Sequence, residues 1–81
     1  MQQKKYDIGV IGLGVMGLNL LLNMADHGYS AVGYDRVADR VRDLDRRRAP
    51  GHAIRGTGSP RECMALLKSP RVVVILVPAG P

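Results

Sequence analysis

Gly12-Leu13-Gly14-Val15-Met16-Gly17 joins an apolar, β-branched run, Asp7-Ile8-Gly9-Val10-Ile11, directly to a stretch with helical periodicity. The G-x-G-x-x-G spacing is a weak signal alone, because ten glycines in 81 residues produce chance matches. Its place between a strand and a helix is what makes it specific. Gly12 permits a tight turn, Gly14 lets backbone approach a pyrophosphate, and Gly17 lets helix and strand pack closely. The helix N-terminus behind them offers unpaired N–H groups and a positive dipole end. The bland alternative is a tight strand-to-helix turn that binds nothing.

From Gly14 to His27, Met16, Leu18, Leu20, Leu21, Leu22, Met24 and Ala25 cover most of a helical cylinder. Asn19, Asn23 and Asp26 fall on one narrow stripe, which predicts a helix buried against a sheet. Gly28 can end it with a positive φ. Tyr29 to Tyr34 reads as a second strand stopping at Asp35. Val37, Val41 and Leu44 then repeat at helical spacing in an Arg- and Asp-rich stretch, the pattern of a surface helix with one buried face. Asp43 can pair there with Arg46 and Arg47, and Arg46-Arg47-Arg48 lies where a helix C-terminus favours cations. Pro50-Gly51 breaks the chain, and His52 to Arg55 predicts a short third strand.

Ser59-Pro60-Arg61-Glu62 has the form of a capping box with proline at the first helical position. A short helix should start at Pro60, with Met64, Leu66 and Leu67 inward, and stop at Ser69-Pro70. Val72 to Val77 is continuously apolar, as a strand covered on both faces of a parallel sheet would be. Strand and helix therefore alternate through the chain, which predicts a parallel sheet with right-handed crossovers. The fold class is α/β: a partial, Rossmann-like doubly wound parallel sheet of about four strands and three helices in three αβα layers. That topology gathers Gly12, Asp35 and Pro78 at one edge.

Asp35 stands near the roughly 20-residue distance past the glycines at which an acidic residue hydrogen-bonds the ribose of NAD. Capping the next helix is a compatible second role. A carboxylate roughly 5 Å from a 2′-phosphate costs about 3 kcal/mol per unit charge at an effective dielectric near 20. Asp35 thus argues for NAD, while Arg36, with Arg40 behind it, argues for NADP. The expectation is NAD, with NADP possible.

Other residue types point elsewhere than chemistry. His27 and His52 have no second ligand at useful spacing and read as solvated surface residues. Ser30, Ser59 and Ser69 fall at a strand start, a cap and a helix stop, and predict no triad. Cys63, the only cysteine, reads as packing and excludes a disulfide framework. Met16, Met24 and Met64 read as gap-filling core. No catalytic residue and no metal ligand is expected in the chain. Hydrophobic residues at 46% and charged residues at 23% make a globular balance, and the length allows one small domain.

Twelve Lys and Arg against seven Asp and Glu give a net charge of +5, which suits an anionic partner. Three Tyr, no Phe and no Trp leave few stacking platforms, so the charge reads as a phosphate preference rather than as nucleic-acid binding. No apolar run approaches the ~20 residues of a membrane span. A cytoplasmic setting is the expectation.

Ile8 through Leu20, then His27-Gly28-Tyr29 and Tyr34-Asp35-Arg36, resemble the amino-terminal segment of the β-hydroxyacid dehydrogenase family. Leu67-Lys68-Ser69-Pro70-Arg71, leading into Val77-Pro78-Ala79-Gly80, is similar to the 6-phosphogluconate dehydrogenases within it. The resemblance implies that Gly12, Leu13, Gly14, Val15, Met16 and Gly17 hold a pyrophosphate, Asp35, Arg36 and Val37 the adenosine ribose, and Val77, Pro78 and Ala79 the nicotinamide side. It implies hydride transfer from a hydroxy-acid sugar phosphate, then decarboxylation. The NADP-using branch usually has alanine, asparagine and lysine where Gly14, Asp35 and Pro78 stand, so the likeness is to the NAD-preferring branch.

The family's catalytic lysine and glutamate and its sugar-phosphate contacts lie beyond the matched segment. The chain is therefore expected to be an amino-terminal fragment, residues 1–81, inactive alone, whose parent is a homo-oligomer. The alternatives are another β-hydroxyacid dehydrogenase, such as 3-hydroxyisobutyrate dehydrogenase, or a non-catalytic nucleotide- or nucleic-acid-binding module.

Overall fold

The computed structural model describes residues 5–48 and 51–76. Seven elements alternate along the chain: β1 (Ile8–Ile11), α1 (Val15–Asp26), β2 (Ala31–Tyr34), α2 (Ala38–Arg46), β3 (Ile54–Gly56), α3 (Pro60–Ala65) and β4 (Val73–Ile75). The strands pair in parallel in the order β3-β2-β1-β4, with Ile8 opposite Ala31, Gly9 opposite Val73 and Ala31 opposite Ile54. The sequence-based α/β expectation holds, with the first strand inside the sheet and β4 returning to its other side.

Handedness distributes the helices. The crossovers β1-α1-β2 and β2-α2-β3 step the same way along the sheet, so both helices fall on one face, and the reverse step from β3 to β4 carries α3 to the other. Val10, Leu13, Leu18, Leu21, Leu44 and Ile54 fill the space under α1 and α2. Tyr6, Val32, Cys63 and Leu67 fill the space under α3. Gly33 lets the first core close over β2: a Cβ there would stand 2.9 Å from a Leu21 methyl and 3.0 Å from one of Leu44.

Local signals set the ends. Gly28 takes φ 91° just past α1, as its position predicts. The Ser59 hydroxyl accepts the Glu62 amide at 3.0 Å, while the Glu62 carboxylate accepts the amide of Gly58 at 2.8 Å, so the box closes one residue upstream of the cap. Arg47 pairs with Asp43 at 3.0 Å, and a second pair, Arg42 with Asp39, lies one turn earlier.

Several expectations change. Helix α1 buries a single stripe, Gly17, Leu18, Leu21 and Ala25, rather than most of its surface. Met16 is 73% exposed and Met64 37%, so neither fills the core. Met16 sits in the first turn of α1, past the last residue of β1, where the sheet no longer lies beneath it. Strand β4 is not covered on both faces: Ile75 is 62% exposed, because among the described residues β4 pairs only with β1 and forms the sheet edge. His52 is not solvated either. Its Nε2 meets a carboxylate oxygen of Asp26 at 2.7 Å, tying the segment before β3 to the end of α1.

Candidate functional site

Each strand ends at the same edge of the sheet, and the loops that follow are laced together by backbone. The Gly12 amide donates to the Tyr34 carbonyl at 2.8 Å, and the Leu76 amide to the Ile11 carbonyl at 2.7 Å. Gly12 adopts φ 105°, and a Cβ there would lie 1.9 Å from the Leu76 carbonyl oxygen. A Cβ on Gly17 would lie 1.8 Å from the Gly12 oxygen. Two of the three motif glycines are therefore demanded by the chain's own packing.

Gly14 differs. It is the N-cap of α1, in extended conformation, and a Cβ there would meet nothing within 4 Å. Among the described residues nothing requires glycine at this position. The helix it opens carries no acidic residue in its first turn and no side-chain cap. The amides of Val15, Met16 and Gly17 have no carbonyl acceptor within the helix, so they remain for something outside it. Val15 is 83% exposed, which leaves that mouth open to solvent. An open cradle with aligned N–H groups and a positive dipole end can receive a diphosphate.

Asp35 follows β2 and is only 7% exposed. One carboxylate oxygen accepts the Leu13 amide at 2.7 Å and the other accepts the Val37 amide at 2.8 Å. Arg40 reaches the first of these oxygens at 3.4 Å. Burial pushes this carboxyl upward, but the amide bonds from Val37 and Leu13, with Arg40, outweigh it and hold Asp35 below the usual carboxylate value. It is an ionised group in a dry place, joining the glycine loop to the start of α2. A carboxylate has about four acceptor positions. The oxygen facing Val37 keeps a lone pair that a sugar hydroxyl could use.

Arg36 and Val37, one and two residues on, are exposed at this edge. A cavity of about 340 Å³ opens beside them between the ends of β2 and β3 and the first turn of α2, lined by Tyr34, Asp35, Arg36, Arg42, Thr57 and Gly58. The Thr57 hydroxyl is spent inward on the Gly33 carbonyl at 3.0 Å. Sequence reading passed over Arg42 and Gly56-Thr57-Gly58. The signal for the latter was available, since residues just past a parallel strand fall at the binding edge. Val77, Pro78 and Ala79, expected on the nicotinamide side, lie outside the described residues.

Cys63 is fully buried, and burial pushes its thiol up, which fits the packing role expected of it. His27 bonds the Asn23 carbonyl of its own helix at 2.8 Å. Among the described residues no group of three or more His, Cys, Asp and Glu could hold a metal ion. None of their helices is long and apolar enough to cross a membrane.

Comparison with known proteins gives a consistent answer. Residues 7–81 match the family described as the NAD binding domain of 6-phosphogluconate dehydrogenase. The decarboxylating 6-phosphogluconate dehydrogenase of Candida albicans is 50% identical over 74 residues, covering 91% of this chain and 14% of that protein. That of Haemophilus influenzae is 47% identical over 76 residues, covering 94% of the chain and 16% of the relative. The chain thus spans a small part of the curated relatives it matches. Plasmodium falciparum 6-phosphogluconate dehydrogenase, solved in apo form and in complexes with its cofactor NADP+ and its substrate 6-phosphogluconate, superposes with a TM-score of 0.83 at 38% identity, over 93% of this chain and 16% of that one.

Proposed function

The chain belongs to the family of the NAD binding domain of 6-phosphogluconate dehydrogenase, and from that premise we propose that it is the dinucleotide-binding portion of a decarboxylating 6-phosphogluconate dehydrogenase. The observation that carries this reading is the division of labour among the glycines: two are closed by the chain itself, and Gly14 faces open space at a helix mouth. The family's whole activity would then be oxidation of a hydroxyl on a hydroxy-acid sugar phosphate followed by loss of carbon dioxide. When bound, the nicotinamide dinucleotide supplies the hydride acceptor.

The chain's own residues bind and orient. The loop from Gly12 to Gly17 would seat the diphosphate at the start of α1, with Gly12 and Leu13 shaping it through their inward amide bonds and the amides of Val15, Met16 and Gly17 facing the ligand. Asp35, Arg36 and Val37 would lie along the adenosine ribose, and Val77, Pro78 and Ala79 along the nicotinamide side. The acid–base groups of the reaction would come from residues beyond residue 81, so the domain assignment here is cofactor binding alone.

NAD is proposed over NADP. Asp35 stays ionised at neutral pH, so a 2′-phosphate roughly 5 Å away would meet about 3 kcal/mol of repulsion per unit charge at an effective dielectric near 20. Arg40 is already engaged by Asp35, which leaves Arg36 to offset that repulsion.

A titration of the ¹⁵N-labelled chain with NADH and with NADPH tests the reading. NADH at millimolar concentration should shift the amides of Gly12, Gly14 and Asp35, and NADPH should do so at higher concentration. Silence toward both would overturn dinucleotide binding, and tighter binding of NADPH would overturn the choice of NAD.

A further inference from the structure

Resting on the dinucleotide reading, we propose that Asp35 is a positioning residue for the diphosphate cradle, acting through the Leu13 amide, in addition to any bond it makes to a sugar. Leu13 lies between the two loop glycines, and its N–H points inward to a carboxylate oxygen at 2.7 Å. The neighbouring Gly12 amide is held to the Tyr34 carbonyl at 2.8 Å. Consecutive loop amides are thereby fastened to consecutive residues at the end of β2. With both turned inward, the chain leaves the loop in the one orientation that presents Gly14 and the first turn of α1 outward.

Asp35 is a stiff fastener. It is buried, its bond to Leu13 is charge-assisted and short, and its other oxygen is anchored on the Val37 amide at 2.8 Å. Asparagine at this position keeps one carbonyl oxygen, so it can hold the Leu13 amide while turning its NH2 toward Val37, whereas alanine keeps neither bond. Without that oxygen the Leu13 amide would be a buried donor without an acceptor, and the loop would turn to satisfy it.

This role makes a prediction opposite in sign to simple electrostatics. A carboxylate near an anion site repels the anion, so removing its charge should tighten diphosphate binding if charge were all that mattered. If Asp35 acts by fixing the loop, removing it should weaken diphosphate binding despite the charge lost. Inorganic pyrophosphate separates the roles because it has no ribose for Asp35 to touch.

The experiment compares the 81-residue chain with Asp35→Ala, each titrated with inorganic pyrophosphate and with NADH, reading the Gly14 and Val15 amides by NMR. Leu13 amide exchange is followed in the same samples, and Asp35→Asn, which keeps an oxygen for Leu13, serves as the second variant and should recover most of the pyrophosphate binding. Asp35→Ala should bind pyrophosphate about tenfold more weakly, equal to about 1.4 kcal/mol, with at least as large a loss for NADH and faster exchange at Leu13. Unchanged or tighter pyrophosphate binding alongside weaker NADH binding would overturn the positioning role and leave the dinucleotide reading intact. An unsubstituted chain that binds neither ligand would overturn that reading, and this inference with it.

Discussion

Alanine at Gly17 and alanine at Gly14 are chemically the same change three residues apart, and the structure assigns them opposite consequences. At Gly17 the new Cβ would stand 1.8 Å from the Gly12 carbonyl oxygen and 3.0 Å from its carbon. Ordinary contact needs about twice the shorter distance, and the obstacle is backbone, which cannot swing aside as a side chain can. Overpacking of a core usually costs about 1–3 kcal/mol, and a backbone collision belongs at or above the top of that range. In a domain of this size about 3 kcal/mol lowers the thermal midpoint by roughly 12–24 °C. At Gly14 a Cβ meets nothing within 4 Å, and the backbone has φ −68°. Reduced freedom of the unfolded chain contributes about 0.4–1 kcal/mol, and the poorer N-cap propensity of alanine takes back a similar amount. The net should lie within about 1 kcal/mol of zero. Circular-dichroism melts and urea titrations of both variants read the difference. A Gly17→Ala midpoint within a few degrees of the unsubstituted chain, or a Gly14→Ala loss as large as that of Gly17→Ala, would show that the loop is not packed as described.

Leu21 is completely buried beneath α1, and Leu21→Ala should cost about 2–5 kcal/mol in the same urea titration. The Asp7 carboxyl is lowered to about 2 by its hydrogen bonds to Lys68 and to Ser30. Because its folded pKa lies below the ordinary value of 3.8, the stability it contributes is full above that value and is lost as pH falls through about 2. Lys68→Ala should flatten the stability-versus-pH curve in that window. Arg36→Ala should weaken NADPH binding by about tenfold and NADH binding much less, measured by calorimetry, because only the 2′-phosphate loses a facing cation.

The order of elements was legible because every one carries a local signature. Ser59-Pro60 opens α3, Gly28 closes α1, and β-branched runs mark β1 and β4. The alternation then leaves little freedom in topology, since right-handed crossovers decide the face each helix takes. The edge holding Gly12 and Asp35 was legible for the same reason. Exposure was not. Hydrophobic periodicity tells which residues share a side of a helix, but it cannot tell how far the sheet extends beneath that side. Met16 and Ile75 were read as interior because they are apolar, and both stand where the described sheet has run out.

Asp35 shows a different limit. Spacing from the glycines predicts a carboxylate at the edge, and a cap for the next helix was the compatible second role. The structure gives the carboxylate a third bond, to Leu13, that no sequence rule names. The pairing depends on the Gly12 turn at φ 105° bringing a loop amide to the end of a strand 22 residues away in sequence. Such a bond changes how the residue should be read: substituting it alters the loop, the helix start and the charge at once. A swap of cofactor preference made at Asp35 alone therefore confounds repulsion of a 2′-phosphate with misplacement of the diphosphate. Arg36, exposed and outside that network, isolates the first effect, and pyrophosphate isolates the second.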